Sequence, residues 1–177
     1  MVNQEIFLMR DIQVFMRYKA WADDLFLSAL LPLTDDVLLA PRPIVFGSLL
    51  HTLYHAYQMD YVWQCHLQGV PHGLTSRNPD DCPPFADLIE KQRVMNDWYI
   101  HYAELSSEAE LDEVVTFEFI DGGVGRMSRR EILLHVVNHA TYHRGHAAGM
   151  LYPLGISPPT TDLPVFLREI TPSVTST

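Results

Sequence analysis

Apolar residues recur at intervals of three and four along most of this chain, the spacing that gathers them on one face of an α-helix. Four stretches carry the pattern. The first runs from about Asn3 to Leu31 and is ended by Pro32 and the Asp35-Asp36 pair. Pro41 and Pro43 bracket a loop. A second helix follows from about Val45 to Leu67, closed by Gly69, a residue that readily takes the left-handed conformation past a helix end. The polar, proline-rich segment from Pro71 to Pro84 is long enough to cross a bundle, and a third helix spans about Phe85 to Ser106. In VVTFEFIDGGVGRMS, β-branched and aromatic residues flank Asp121-Gly122-Gly123, the pattern of a hairpin. Ser128 and Glu131 stand at capping-box spacing, so the last long helix opens at Ser128 and runs to about Leu151, before Pro153. The tail from about 153, ending GISPPTTDLPVFLREITPSVTST, reads as mostly extended and frayed at its end. The pattern predicts one all-α domain over 1–177, a helical bundle with a short β-hairpin before its last helix.

Composition agrees with that reading and narrows the partners. At 177 residues, with 47% hydrophobic and 19% charged, the chain has a globular balance and enough length to bury a core. Its formal charge is −10, from 12 Lys+Arg against 22 Asp+Glu, and no basic cluster appears. A nucleic-acid partner is excluded on that ground, because phosphate backbones are held by a basic face. The opening MVNQEIFLMRD lacks the basic start and apolar stretch of a signal peptide. No apolar run approaches the roughly 20 residues that span a bilayer, so no membrane partner is expected. Cys65 and Cys82 form no C-x-x-C pattern and no disulfide framework. The expectation is a soluble, cytoplasmic protein acting on small molecules.

The histidines change the picture. Of the nine, seven fall in two helices: His51, His55 and His66 in the second, and His135, His139, His143 and His146 in the fourth. Residues four apart on a helix stack on one face, so an H-x-x-x-H step offers two imidazoles to one ion. At about 100° per residue, Ile132, Leu133, Val136, Ala140 and Ala147 form the apolar stripe of the last helix. His143 falls inside that stripe and His139 at its edge, whereas His135 and His146 lie further round. On the second helix His55 flanks the stripe of Leu49, Leu53, Ala56, Trp63 and Leu67, and His51 sits further away. One imidazole from one helix and two from the other make a three-nitrogen site, the donor set of a catalytic rather than a closed structural zinc. No Glu follows the first histidine, so the H-E-x-x-H protease pattern is not met. His51 and His135 read as supporting or surface groups, and His66, His72 and His101 carry no assigned role. Tyr18, Trp21 and Phe26 read as core. Asp60 projects into the stripe of the second helix; a buried carboxylate requires a partner, and Arg144 on the neighbouring face of the last helix is a candidate.

Two of these segments resemble a known family. GSLLHTLYHAYQMDYVWQCHLQG looks like the second-helix signature of the DinB-like, damage-inducible proteins (the DinB/YfiT group), and HVVNHATYHRGHAAGML like their fourth-helix signature, built on His-x-x-x-His-Arg-Gly. YKAWADD and PPTTDLPVF match as well, so the similarity runs from about Phe15 to Leu167. It implies a four-helix, up-down-down-up bundle, often a homodimer, with a divalent metal ion, zinc or nickel, on the positions matching His55, His139 and His143. The family usually continues Arg-Gly-Gln, whereas Arg144-Gly145 is followed here by His146, which thereby becomes a candidate fourth nitrogen.

The resemblance also frames function. Some relatives are thiol S-transferases or isomerases that use bacillithiol, mycothiol or glutathione. A three-imidazole ion with an open position suits a low-molecular-weight thiol cosubstrate, because it favours the thiolate. The leading expectation is therefore a metal-dependent thiol S-transferase acting on small electrophiles, with Tyr54, Asp60 and Asn138 as candidate orienting groups. The alternative is a non-catalytic, stress- or damage-inducible bundle in which the ion only pins two helices. A metal-dependent hydrolase ranks last, for want of a general base evident in the sequence.

Overall fold

The computed structural model describes residues 11–78 and 81–170. In order along the chain these form α1 (Asp11–Leu30), α2 (Asp35–Leu39), α3 (Leu49–Gln68), α4 (Phe85–Leu105), α5 (Glu108–Leu111), β1 (Val114–Glu118), β2 (Val124–Ser128), α6 (Arg129–Leu151), a 3₁₀ turn (Tyr152–Leu154) and α7 (Leu163–Ile170). Four long helices make the bundle: α1 packs on α4 and α6, and α3 packs on α6 and α4. None of the described helices is long and apolar enough to cross a membrane.

Local chemistry sets the boundaries. Ser48 caps α3 by accepting from the His51 amide, so the helix opens later than the Val45 expected from the apolar pattern. Gly69 closes it at φ +69°. At the head of α6, Ser128 accepts from the Glu131 amide, and the Glu131 carboxylate accepts from the Ser128 amide. That is the expected capping box, and it leaves two helix-end donors satisfied. β1 and β2 pair antiparallel with Val114 opposite Ser128 and Phe117 opposite Gly125, and Gly122 and Gly123 make the turn at φ +92° and +93°.

Three elements depart from the sequence-based expectation. Asp35 and Asp36 do not simply end the first helix; they open α2, where acidic groups favour the first turn and Leu38 is buried. Ser107 and Glu110 form a second capping box, which starts the short α5. The tail is not extended throughout: LPVFLREI folds as α7, with Phe166 packed on Tyr18 and Trp21 of α1. A proline near a helix start costs little, since the donor it removes has no partner inside the helix anyway. Tyr18 donates to the Thr161 carbonyl at 2.8 Å and Trp21 to Glu169 at 2.9 Å, which fastens the tail to the bundle. The expected helix start at Asn3 and the frayed end at 171–177 lie outside the described residues.

A polar layer divides the core. One apolar cluster gathers Ile12, Met16, Trp63, Tyr99, Phe117 and Val136; the other gathers Phe26, Leu30, Leu53, Leu88, Ala147 and Leu151. Between them Lys19 donates to Asp23 (2.9 Å), Asp60 (2.6 Å) and Asn96 (2.7 Å), which uses all three of its protons. Arg144 bonds Asp23 at 2.7 Å. Asp60 is therefore partnered by Lys19, and Arg144 by Asp23, which corrects the candidate Asp60–Arg144 pair. The reason is that α1 turns a lysine inward, where a reading of α3 and α6 alone does not look.

Candidate metal centre

Three imidazoles gather between α3 and α6. His55 on α3 and His143 on α6 are buried, and His139 is partly so. One ring nitrogen from each lies within 4.8 Å of the other two, and no other such group of three or more His, Cys, Asp or Glu exists among the described residues. The i,i+4 step on α6 sets the His139 and His143 rings 4.2 Å apart, with their Nε2 atoms 3.0 Å from each other.

Burial fixes the protonation state. Loss of water, and then the neighbouring imidazoles, hold His139 down at about 2 and His143 at about 4. Burial likewise lowers His55. All three are therefore neutral at physiological pH, the form that donates a lone pair to a metal. The His55 Nδ1–H donates to the Arg77 carbonyl at 2.8 Å, and because a carbonyl only accepts, the Nε2 lone pair is left for an ion. With both rings on α6 neutral, one Nε2–H donates to the other Nε2 across their 3.0 Å contact, so the two nitrogens face one another. The Nδ1 atoms of both rings are buried without a hydrogen-bond partner, polar capacity that the protein itself does not use. By charge, tautomer and convergence, the donor set fits a divalent ion.

Two chambers meet at His55. One, of about 290 Å³, is lined by Val45, Phe46, Gly47, His51, Tyr54 and Asn78. The other, of about 200 Å³, lies under the hairpin; Met59, Val62, Trp63, His66, Phe119 and Ile120 form its apolar wall, and His135 and His139 border it. Phe46 stacks on His55 at 4.3 Å and meets the edge of His143 at 5.1 Å, shielding the rings from solvent. Arg77 pairs with Asp121 at the hairpin turn at 2.9 Å, tying the connection before α4 to the roof of the second chamber.

The remaining sequence candidates fall as follows. Tyr54 lines the first chamber, whereas Asn138 is exposed on α6 and the Asp60 carboxylate is engaged by Lys19 and Gln92 in the polar layer. His51 sits in the first chamber with its Nδ1 2.7 Å from Ser48 Oγ. His146 stays outside the three-nitrogen group and packs on Tyr142 at 4.2 Å. His135 meets Trp63 edge-on at 4.8 Å, and His66 borders the second chamber, a placement that its sequence context did not indicate. His101 is exposed and bonds Asp97 of its own helix, while His72 accepts from the Leu74 amide. Cys65 and Cys82 are free thiols, and burial pushes Cys82 up to about 11. Phe46 and Arg77 escaped the sequence reading because each reaches the site from a loop, with no periodicity to mark it.

Comparison with known proteins agrees with this architecture. The chain is 26% identical over 161 residues to protein DinB of Bacillus subtilis (strain 168), covering 85% of this chain and 90% of that one. In fold it resembles the crystal structure of a DinB-like protein from Bacillus cereus ATCC 10987, with a TM-score of 0.63 at 18% identity over 81% of this chain and 91% of the other. The DinB family model matches residues 3–173, and the chain belongs to the DinB family.

Proposed function

We propose that this protein is a divalent-metal-dependent thiol S-transferase that joins a low-molecular-weight thiol to a small electrophile. The observation that carries the reading is the convergence of three neutral imidazoles where two chambers meet. A structural ion needs no space beside it, whereas catalysis needs room for reactants at an open position. Zinc or nickel, when bound, would hold positive charge beside the reacting sulfur and so favour thiolate over thiol at neutral pH.

The residues supply the rest. Arg77 fixes the His55 ring through its carbonyl, and Phe46 keeps water from the imidazoles. Tyr54, His51 and Asn78 offer hydroxyl, imidazole and amide groups to a polar thiol in the first chamber. With a chlorinated aromatic as electrophile, the thiol releases its proton to solvent and its sulfur forms the new C–S bond. Chloride departs with the electron pair of the broken C–Cl bond. Neither cysteine lines the chambers at His55, and burial holds the Cys82 thiol protonated, so the sulfur comes from the cosubstrate.

The test is turnover by metal-loaded protein with bacillithiol, mycothiol, glutathione and coenzyme A against chlorinated aromatics and epoxides. Activity should vanish in His143→Ala and persist in Cys65→Ser. No rate above background with any pair, in protein shown to hold one ion per chain, would leave the ion as a pin between α3 and α6.

A further inference from the structure

The two chambers beside the imidazoles differ in chemistry, and the difference carries information about the substrate. The first presents a hydroxyl, an imidazole and an amide from Tyr54, His51 and Asn78. The second is walled by two aromatic rings, Trp63 and Phe119, and by Met59, Val62 and Ile120. An apolar cavity of ~150 Å³ holds a benzene ring, so about 200 Å³ accepts a substituted single ring. At its rim one guanidinium, Arg77, faces two carboxylates, Glu118 and Asp121, and Arg77 is already paired with Asp121. With no ion on the imidazoles, that balance repels an anion and places no cost on a neutral molecule.

Phe119 is held in place from behind. Its ring lies 5.2 Å from that of Phe117, and opposite them β2 carries Gly125, where a Cβ would come within 2.5 Å of Phe117 and 3.1 Å of Phe119. The absence of a side chain at Gly125 lets the rings lie down against the strand. Phe119 is nonetheless 48% exposed. A large aromatic surface left open beside a chamber, with its ring positioned by its neighbours, is the arrangement of a stacking wall.

We infer that the chamber walled by Trp63 and Phe119 is the subsite for a neutral aromatic molecule, and that the polar chamber across His55 takes its partner. The inference rests on the transferase reading for the role of that molecule, the electrophile, but not for its binding.

The probe is fluorobenzene, followed by ¹⁹F NMR line broadening on the metal-free protein, where no cation draws a carboxylate, with benzoate read by competition as the anionic counterpart. Fluorobenzene should bind with millimolar or tighter affinity, and benzoate at least tenfold more weakly. Phe119→Ala should weaken fluorobenzene roughly 3- to 10-fold, the loss of one aromatic contact. The half-exposed position of Phe119 makes that variant safe for folding. Ile120→Trp, which fills the chamber, should abolish binding while helical circular dichroism is retained. No binding to the parent protein, equal binding of benzoate, or unchanged binding in both variants would overturn the inference. The binding assay reads no turnover, so fluorobenzene bound as described by a protein inactive with every thiol would overturn the transferase reading alone.

Discussion

Lys19 is 1% exposed, yet it carries a charge, and the residues around it explain how. Burial opposes the charge, but Asp23 and Asp60 outweigh that opposition and raise Lys19 above its usual value. Asp23 is lowered in turn by Lys19 and Arg144, even though burial alone would raise it. Asp60, with only Lys19 as a cationic partner, stays above the ordinary carboxylate range because burial dominates. Lys19→Met removes the one group that all three acceptors share and leaves Asp60 without a counter-charge. The variant should lose about 3–5 kcal/mol in urea unfolding, the cost of breaking a buried pair from one side. A loss under about 1 kcal/mol would mean that water already reaches the layer and solvates the carboxylates.

At the scale of the element, the hairpin shows how one missing side chain shapes a site. Phe117 is buried against Trp63 at 4.8 Å and cannot retreat from a Cβ placed at Gly125. Gly125→Ala should therefore cost about 1–3 kcal/mol through overpacking. In a chain of this size that lowers Tm by roughly 2–12 °C. A variant that melts within a degree of the parent would show that both rings rotate away freely. The hairpin and the connection before α4 are linked by the Arg77–Asp121 pair, but both side chains are largely exposed, so the pair orients more than it stabilises.

At the scale of the whole molecule, the buried imidazoles make stability depend on pH. In the unfolded chain each histidine takes a proton near 6.5, whereas in the fold His143 waits until about 4 and His139 until about 2. Between those values the unfolded state holds more protons, so stability rises with pH and falls on acidification. Metal-free protein in chelator should keep its Tm above pH 7 and lose it steadily from about pH 6.5 to about pH 4. His139→Leu/His143→Leu should flatten the slope. A parent Tm unchanged between pH 7 and pH 5 would show that the rings are open to water. Added zinc should steepen the loss, because protons then compete with the ion for the same nitrogens.

Periodicity and capping made much of this molecule readable in one dimension. The stripes on α3 and α6, Gly69 and the Ser128–Glu131 box are local signals, and they placed the long helices and turned His55, His139 and His143 inward. A helical wheel states which face a residue shares, and for ligands four apart on one helix that is nearly the whole geometry. It does not state which helix lies opposite. The exchange of partners between Asp60 and Arg144 was decided by α1, which inserts Lys19 where the wheels of α3 and α6 left a gap. Phe46 over His55 and the Arg77 carbonyl behind it come from loops, where neither period nor composition carries a signal. The two chambers belong to no single segment, because a cavity is what several packed elements leave unfilled. The local code determined which residues face inward; only the packing of α1, the hairpin and the loops decided what they meet there.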